Sequence, residues 1–174
     1  MKKSISHLFL FLLMLSSAIA LPVDQVRLTD YVNDYTNTLS QTDIQSISSL
    51  AKSLQENGAA QVAVVLVDNF DDLSKEEYAI QIAHEHLGDT KTDNGLLILI
   101  GKEVREYRIE VGYGLEGNLN DAKIGRISRE VLQPALSQGD YGQGIHDFIQ
   151  AVGSELLPEG IPPPQGYTSS ADSS

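Results

Sequence analysis

Two short, almost wholly apolar runs with a capped helix pattern between them constrain this chain most. Gln61 to Val67 (Gln-Val-Ala-Val-Val-Leu-Val) and Gly95 to Ile100 are of strand length, rich in valine, leucine and isoleucine, and free of charge. Runs of this kind are strands buried on both faces, which requires layers above and below the sheet. Between them, Ser74 and Glu77 have capping-box spacing, Leu73 and Tyr78 are placed as a hydrophobic staple, and Gly88 ends the pattern. Strands joined through a helix are expected to run parallel with a right-handed crossover. A third strand pattern, Arg105 to Val111, follows after Lys102, Glu103 and Val104. It alternates Tyr107, Ile109 and Val111 with Glu106, Arg108 and Glu110, so it is half-buried, and the short connection predicts an antiparallel hairpin.

The flanking segments read as helices. Ser40 and Asp43 form a second capping-box pattern, Ile44, Ile47, Ala51 and Leu54 share one face, and Gly58 closes the run. After the hairpin, one helix is expected from about Asp121 to Leu136, with Ile124, Ile127 and Val131 inward and Pro134 bending its end. A last helix is expected from a cap at Asp140 with Gln143, presenting Ile145, Phe148, Ile149 and Val152. The order helix, strand, helix, strand, strand, helix, helix predicts an α/β fold: a helix–sheet–helix sandwich around a mixed, mainly parallel central sheet.

The ends read differently. Lys2 and Lys3, the apolar run Leu8 to Leu15, and Ala18-Ile19-Ala20 have the three-part form of a secretory signal, with cleavage expected after Ala20. The apolar run is too short for a spanning helix, which needs about 20 residues. A domain over residues 21–158 and a disordered Pro/Ser-rich tail over 159–174 are expected, because Ile161-Pro162-Pro163-Pro164 and the serines beyond it offer little to a core. The mature chain is therefore expected to be periplasmic or secreted, without a stable membrane anchor, and monomeric.

Charge and chemistry narrow the function classes. The chain has no cysteine, which excludes disulfides, thiolate metal sites and cysteine nucleophiles. Without Lys2 and Lys3, 10 basic side chains face 24 acidic ones, a formal charge of −14 that disfavours nucleic acid and anionic membrane surfaces. Gly112-Tyr113-Gly114-Leu115-Glu116-Gly117 has the spacing of a dinucleotide-binding turn, yet no helix opens directly from it and no further strand follows. Its glycines are expected to serve a tight turn with positive φ. His84-Glu85-His86 lacks the four-residue spacing of a helical zinc pair, and Asp68 to Asp72 lacks the ligand pattern of an EF-hand loop. Asp34, Asp93, Asn94, Glu116 and Asp121 lie at element ends. Taken singly each is an ordinary turn or cap residue, and Asp121 suits an N-cap. Hard cations, however, are held by several oxygens from such loops.

Together these segments resemble the TPM domain family. The resemblance rests on Val32-Asn33-Asp34-Tyr35 with Leu39-Ser40, the strand from Gln61, Asp93-Asn94-Gly95, the strand from Arg105, Gly112 to Gly117, Leu119-Asn120-Asp121-Ala122, Pro134 and Gly139-Asp140-Tyr141. It spans about residues 24–157. It implies a sheet flanked by helices and groups Asp34, Asp93 and Asp121 as site acids. It also implies two activities, calcium binding or acid phosphatase activity. We therefore expect a calcium-binding (or magnesium-binding) module that contacts a cell-envelope protein, or a metal-dependent phosphatase acting on phosphoesters, with a purely structural exported domain as the third option. No Arg-His-Gly or suitable Asp-x-Asp motif is present for a covalent phosphoenzyme. Metal-assisted hydrolysis is the remaining route, with Arg105 as the nearest cation to assist. Many bacterial relatives continue into a membrane helix, and this sequence stops after its proline-rich segment.

Overall fold

The computed structural model describes residues 20–87 and 92–165. The signal-like residues 1–19, Gly88, the side chains of Glu85 and His86, and the tail beyond 165 lie outside the described residues.

The two apolar runs form the centre of a four-stranded sheet. Strands β1 (Val32–Asp34), β2 (Gln61–Val67), β3 (Gly95–Gly101) and β4 (Glu106–Val111) lie side by side in that order. β1, β2 and β3 are parallel, and β4 returns antiparallel to β3. Every residue of β3 is buried, as is every residue of β2 after Gln61. β1 is an element beyond the three expected strands. It is only three residues long and pairs Val32, Asn33 and Asp34 with Val64, Val65 and Leu66.

The helices α1 (Gln41–Glu56), α2 (Lys75–His86), α3 (Asp121–Ile127), α4 (Gln133–Gln138) and α5 (Tyr141–Leu156) cover the two faces unequally. α1, α3 and α5 join the even-numbered residues of β2 and β3 in the larger core, which holds Ile47, Leu54, Ile98, Phe148 and Ile149. The odd-numbered residues Ala63, Val65, Leu97 and Leu99 meet Tyr78, Ala79 and Ile82 of α2 in a smaller core. The period-two alternation of each strand thus sorts its side chains between the two layers. Both helix starts are held as the sequence predicts. Ser40 accepts from Asp43 N and Ser74 from Glu77 N, and each acid returns the bond to the cap backbone. The Ser74 bonds hold the Glu77 carboxyl below the ordinary carboxylate range.

Two expectations are corrected, and the first residues of the proline segment have contacts. The single helix over 121–136 is instead α3, a π-helical stretch (Ser128–Leu132) and α4, with Pro134 in the first turn of α4. Proline lacks an N–H, so an α-ladder cannot continue through it unbroken. Asp140 occupies the N-cap of α5 but its side chain makes no cap bond. Residues 161–165 are docked on the helices: Ile161 packs against Gly153 and the larger core, Ser53 Oγ donates to the Pro162 carbonyl, and Gln165 N donates to Glu56 at 2.7 Å. One isoleucine and two free carbonyl or amide groups suffice to attach a proline segment whose ordering cost is already low.

At the amino end, the Tyr78 hydroxyl donates to the Leu21 carbonyl at 2.7 Å, and Leu21 and Val23 cover the smaller core. Burial raises the Tyr78 pKa well above the ordinary phenol value, with Tyr35 and Asp71 adding to the effect. No helix among the described residues is long and apolar enough to cross a membrane.

Candidate functional site

The parallel register decides which of the candidate acids can meet. Asp34 ends β1 and aligns with Leu66, which aligns with Ile100 near the carboxyl end of β3. Asp93 and Asn94 immediately precede β3, at its other end. Five residues of strand separate the two levels, about 17 Å at the usual rise per residue. Asp34 therefore does not share a site with Asp93. Its carboxylate instead organises its own loop: Oδ1 accepts from Thr36 N at 2.9 Å and Thr36 Oγ1 at 2.6 Å, and Oδ2 accepts from Leu39 N at 2.8 Å. These bonds hold the turn through Asn37, whose φ is +52°, into the start of α1.

The remaining four candidates lie towards the opposite end. Asp93 adopts φ +44°, its Oδ2 accepts from Tyr113 N at 3.1 Å, and its carbonyl accepts from Gly114 N at 3.0 Å. This latch accounts for the first two glycines of the Gly-rich turn. A Cβ on Gly112 would meet the Asp93 carbonyl and carboxylate, and one on Gly114 would meet the Thr92 carbonyl. Gly112 has φ −65°, so backbone-to-backbone proximity, not a left-handed conformation, is what requires glycine there. Asn94 is tied locally, accepting from Thr92 Oγ1 at 3.1 Å. Asn120, not Asp121, is the N-cap of α3, accepting from Lys123 N. Asp121 is the first residue of that helix and Glu116 caps the short 3-10 turn Tyr113–Leu115; both are exposed, and their side chains make no hydrogen bond or ion pair among the described residues.

Glu116 and Asp121 open onto a groove of about 620 Å³ that follows β4. α2 contributes Lys75 and Glu76 to one side; α3 and the π stretch contribute Ile124, Gly125, Ser128 and Arg129 to the other. Arg105, with φ +54°, stands at the start of β4 and also lines an adjoining cavity of about 490 Å³ beside α4 and Tyr141. Arg105 and Arg129 have no carboxylate partner among the described residues. By contrast, Lys75 pairs with Glu106 at 3.0 Å and Arg108 with Glu110 at 2.9 Å. Ser128 is only 3% exposed, and its Oγ has no hydrogen-bond partner. A buried hydroxyl without a partner is uncommon, and π-helical turns concentrate at working sites.

The sequence reading missed Ser128 and Arg129, which carry no motif; both lie in the π-helical stretch, which packs against α5. Among the described residues no group of three His, Cys, Asp or Glu stands ready to hold a metal ion. The five oxygen-bearing residues expected to share a cation do not fit a preassembled cage, because Asp34 is remote, Asp93 is committed to the latch and Asn94 to Thr92.

The family model for the TPM domain matches residues 32–155, a span that contains the sheet, the latch and the groove. The chain belongs to the TPM domain family. This TPM domain is similar to the solution structure of the N-terminal domain of a protein from P. gingivalis, with 25% identity and a TM-score of 0.73, covering 86% of this chain and 99% of that one. The N-terminal domain of the cg2496 protein from Corynebacterium glutamicum has 24% identity and a TM-score of 0.61, over 79% and 87% of the two chains. The BA42 protein from the psychrophilic bacterium Bizionia argentinensis has 20% identity and a TM-score of 0.59, over 76% and 89%. The last two share the fold. No curated protein matches the chain.

Proposed function

We propose that this TPM domain is an exported binding module that engages a protein partner in the cell envelope through the groove along β4. The observation that carries this reading is the unpaired charge of the groove, with Glu116 and Asp121 at one end and Arg105 and Arg129 along it. The groove also holds matched pairs, Lys75–Glu106 at 3.0 Å and Arg108–Glu110 at 2.9 Å, so Glu116, Asp121, Arg105 and Arg129 are its charges left without an ion-pair partner among the described residues. Charges left without an internal partner are free to set specificity and encounter rate for an external one.

Calcium belongs to the acidic end of the groove in this proposal. Two carboxylates and water make a weak site, filled where free calcium is abundant, as outside the cytosol. Calorimetry with calcium and magnesium tests it. Glu116→Gln and Asp121→Asn are expected to abolish the heat of binding while Asp34→Asn leaves it unchanged; an unaltered affinity in both groove variants overturns the calcium assignment.

A second reading, metal-dependent phosphoester hydrolysis, is favoured by one observation. Arg105, Arg129 and the unpartnered Ser128 hydroxyl line the same groove, where they suit an anionic oxygen cluster. It predicts metal-dependent phosphate release from a generic phosphoester that is lost in Arg129→Ala. Release that survives this substitution counts against the groove as the site.

A further inference from the structure

β4 is an edge strand, and its free side is built to pair with itself. Gly112 N donates to the Gly95 carbonyl at 2.8 Å, which fixes the alternation of the antiparallel β3–β4 ladder. Glu106, Arg108 and Glu110 direct their backbone groups towards β3, and Tyr107, Ile109 and Val111 direct theirs away from the sheet. Those outward N–H and C=O groups have no partner among the described residues. Exposed edges of this kind accept another strand unless something blocks them. Here the flanking helices leave the groove open, and no proline or bulge interrupts β4.

We propose that the occupant of this edge is β4 of a second copy of the chain, paired antiparallel about a two-fold axis at Ile109. The inference rests on the groove reading above and names its partner. The order of residues carries it. With Ile109 opposite Ile109, Tyr107 faces Val111 of the other copy and Arg108 faces Glu110, twice by symmetry. Tyr107, Ile109 and Val111 then exchange backbone hydrogen bonds, and each Arg108–Glu110 contact falls at a non-hydrogen-bonded position, where side chains approach more closely. A shift by one residue sets charged positions against apolar ones and destroys this match. The groove is polarised in the same sense: Arg105 stands at the start of β4, while Glu116 and Asp121 lie beyond its end. Antiparallel pairing lays the unpaired Arg105 of each copy towards the end of the other that carries Glu116 and Asp121. The surface is isologous, as a two-fold dimer requires. The sequence alone had suggested a monomer.

Sedimentation velocity over protein concentrations from about 10 μM to about 1 mM, with amide exchange at Tyr107, Ile109 and Val111, tests the proposal. A monomer–dimer equilibrium is expected, with those three amides gaining protection as dimer forms. Arg108→Glu and Glu110→Arg, each alone, should weaken the dimer at least about tenfold by opposing like charges. Mixing the two single variants should restore a heterodimer, because glutamates at 108 and 110 of one chain then meet arginines of the other. That rescue also shows that both variants are folded. A chain that stays monomeric throughout, or a dimer indifferent to both substitutions, overturns the proposal. Protection of the same amides only on adding a different protein would overturn the second copy as occupant and leave the groove reading standing. Ligand binding that survives Arg105→Ala unchanged, with an intact dimer, would do the reverse.

Discussion

At the carboxyl end of β1 the Asp34 carboxylate accepts three hydrogen bonds from its own loop, whereas beyond the opposite end of the sheet Glu116 and Asp121 accept none among the described residues. Both regions offer acids at element ends, and composition treats them alike. The difference is what the surrounding backbone demands. The Asp34 loop must turn through a left-handed Asn37 into α1, and the carboxylate supplies the acceptors that the turn lacks. At the other end the Asp93 latch and the Asn120 cap already satisfy the backbone, so Glu116 and Asp121 are left over. An acid spared from structural work is the one available to a ligand.

Thermal and denaturant unfolding can break this contrast. The largest expected effect is at the latch: Gly114→Ala should destabilise the protein by about 2–3 kcal/mol, since its Cβ would press on the backbone carbonyl of Thr92. A loss under half of this would mean that the latch is loose in solution. Asp34→Ala should cost about 2 kcal/mol by orphaning donors at Thr36 and Leu39, with no effect on calcium or partner binding. A change in binding instead would mark Asp34 as part of the site. Smaller again is Tyr78→Phe, expected to cost about 1 kcal/mol through the lost bond to Leu21. Because burial raises the Tyr78 pKa in the folded state, its contribution is present below the ordinary phenol value and is lost as pH rises above it. The alkaline fall in stability should therefore shrink in the variant.

The acid limb has the opposite sign. Glu77 is held low by Ser74, Asp147 chiefly by Gln143, and Glu155 chiefly by Lys123. Depressed carboxyls contribute stability above their ordinary range and lose it as pH falls through the folded value. Ser74→Ala should flatten the Glu77 share of that acid limb, read as a smaller drop in Tm between neutral and acidic buffer. Smallest of all, Glu116→Gln and Asp121→Asn should change stability by no more than about 0.5 kcal/mol while altering binding. A clear destabilisation would show that these acids also hold the fold.

Much of this architecture was legible because it is local. Ser40 with Asp43 and Ser74 with Glu77 announce helix starts within four residues, and the alternation of Tyr107, Ile109 and Val111 announces one buried face. The site was less legible because it depends on which end of the sheet each loop reaches. That is set by β1, a three-residue strand with no periodicity to detect. Without β1, nothing in the spacing of Asp34 and Asp93 reveals that they lie at opposite ends. The Gly-rich turn was visible but its reason was not: the carbonyls that exclude a Cβ at Gly112 and Gly114 belong to residues about twenty positions earlier. Likewise Ile161 meets Gly153 only once α5 has formed, so composition alone read that segment as free.

Arg105 sits at a backbone angle that most side chains avoid, φ +54°, at the last position of the β3–β4 turn. Glycine would relax that position, by up to about 1 kcal/mol, and random drift towards stability would therefore favour it. A population of variants screened for thermal tolerance alone should drift to glycine at 105, whereas one screened for groove binding should keep arginine and tolerate the strain. On the proposed groove reading, position 105 thus separates selection for stability from selection for binding.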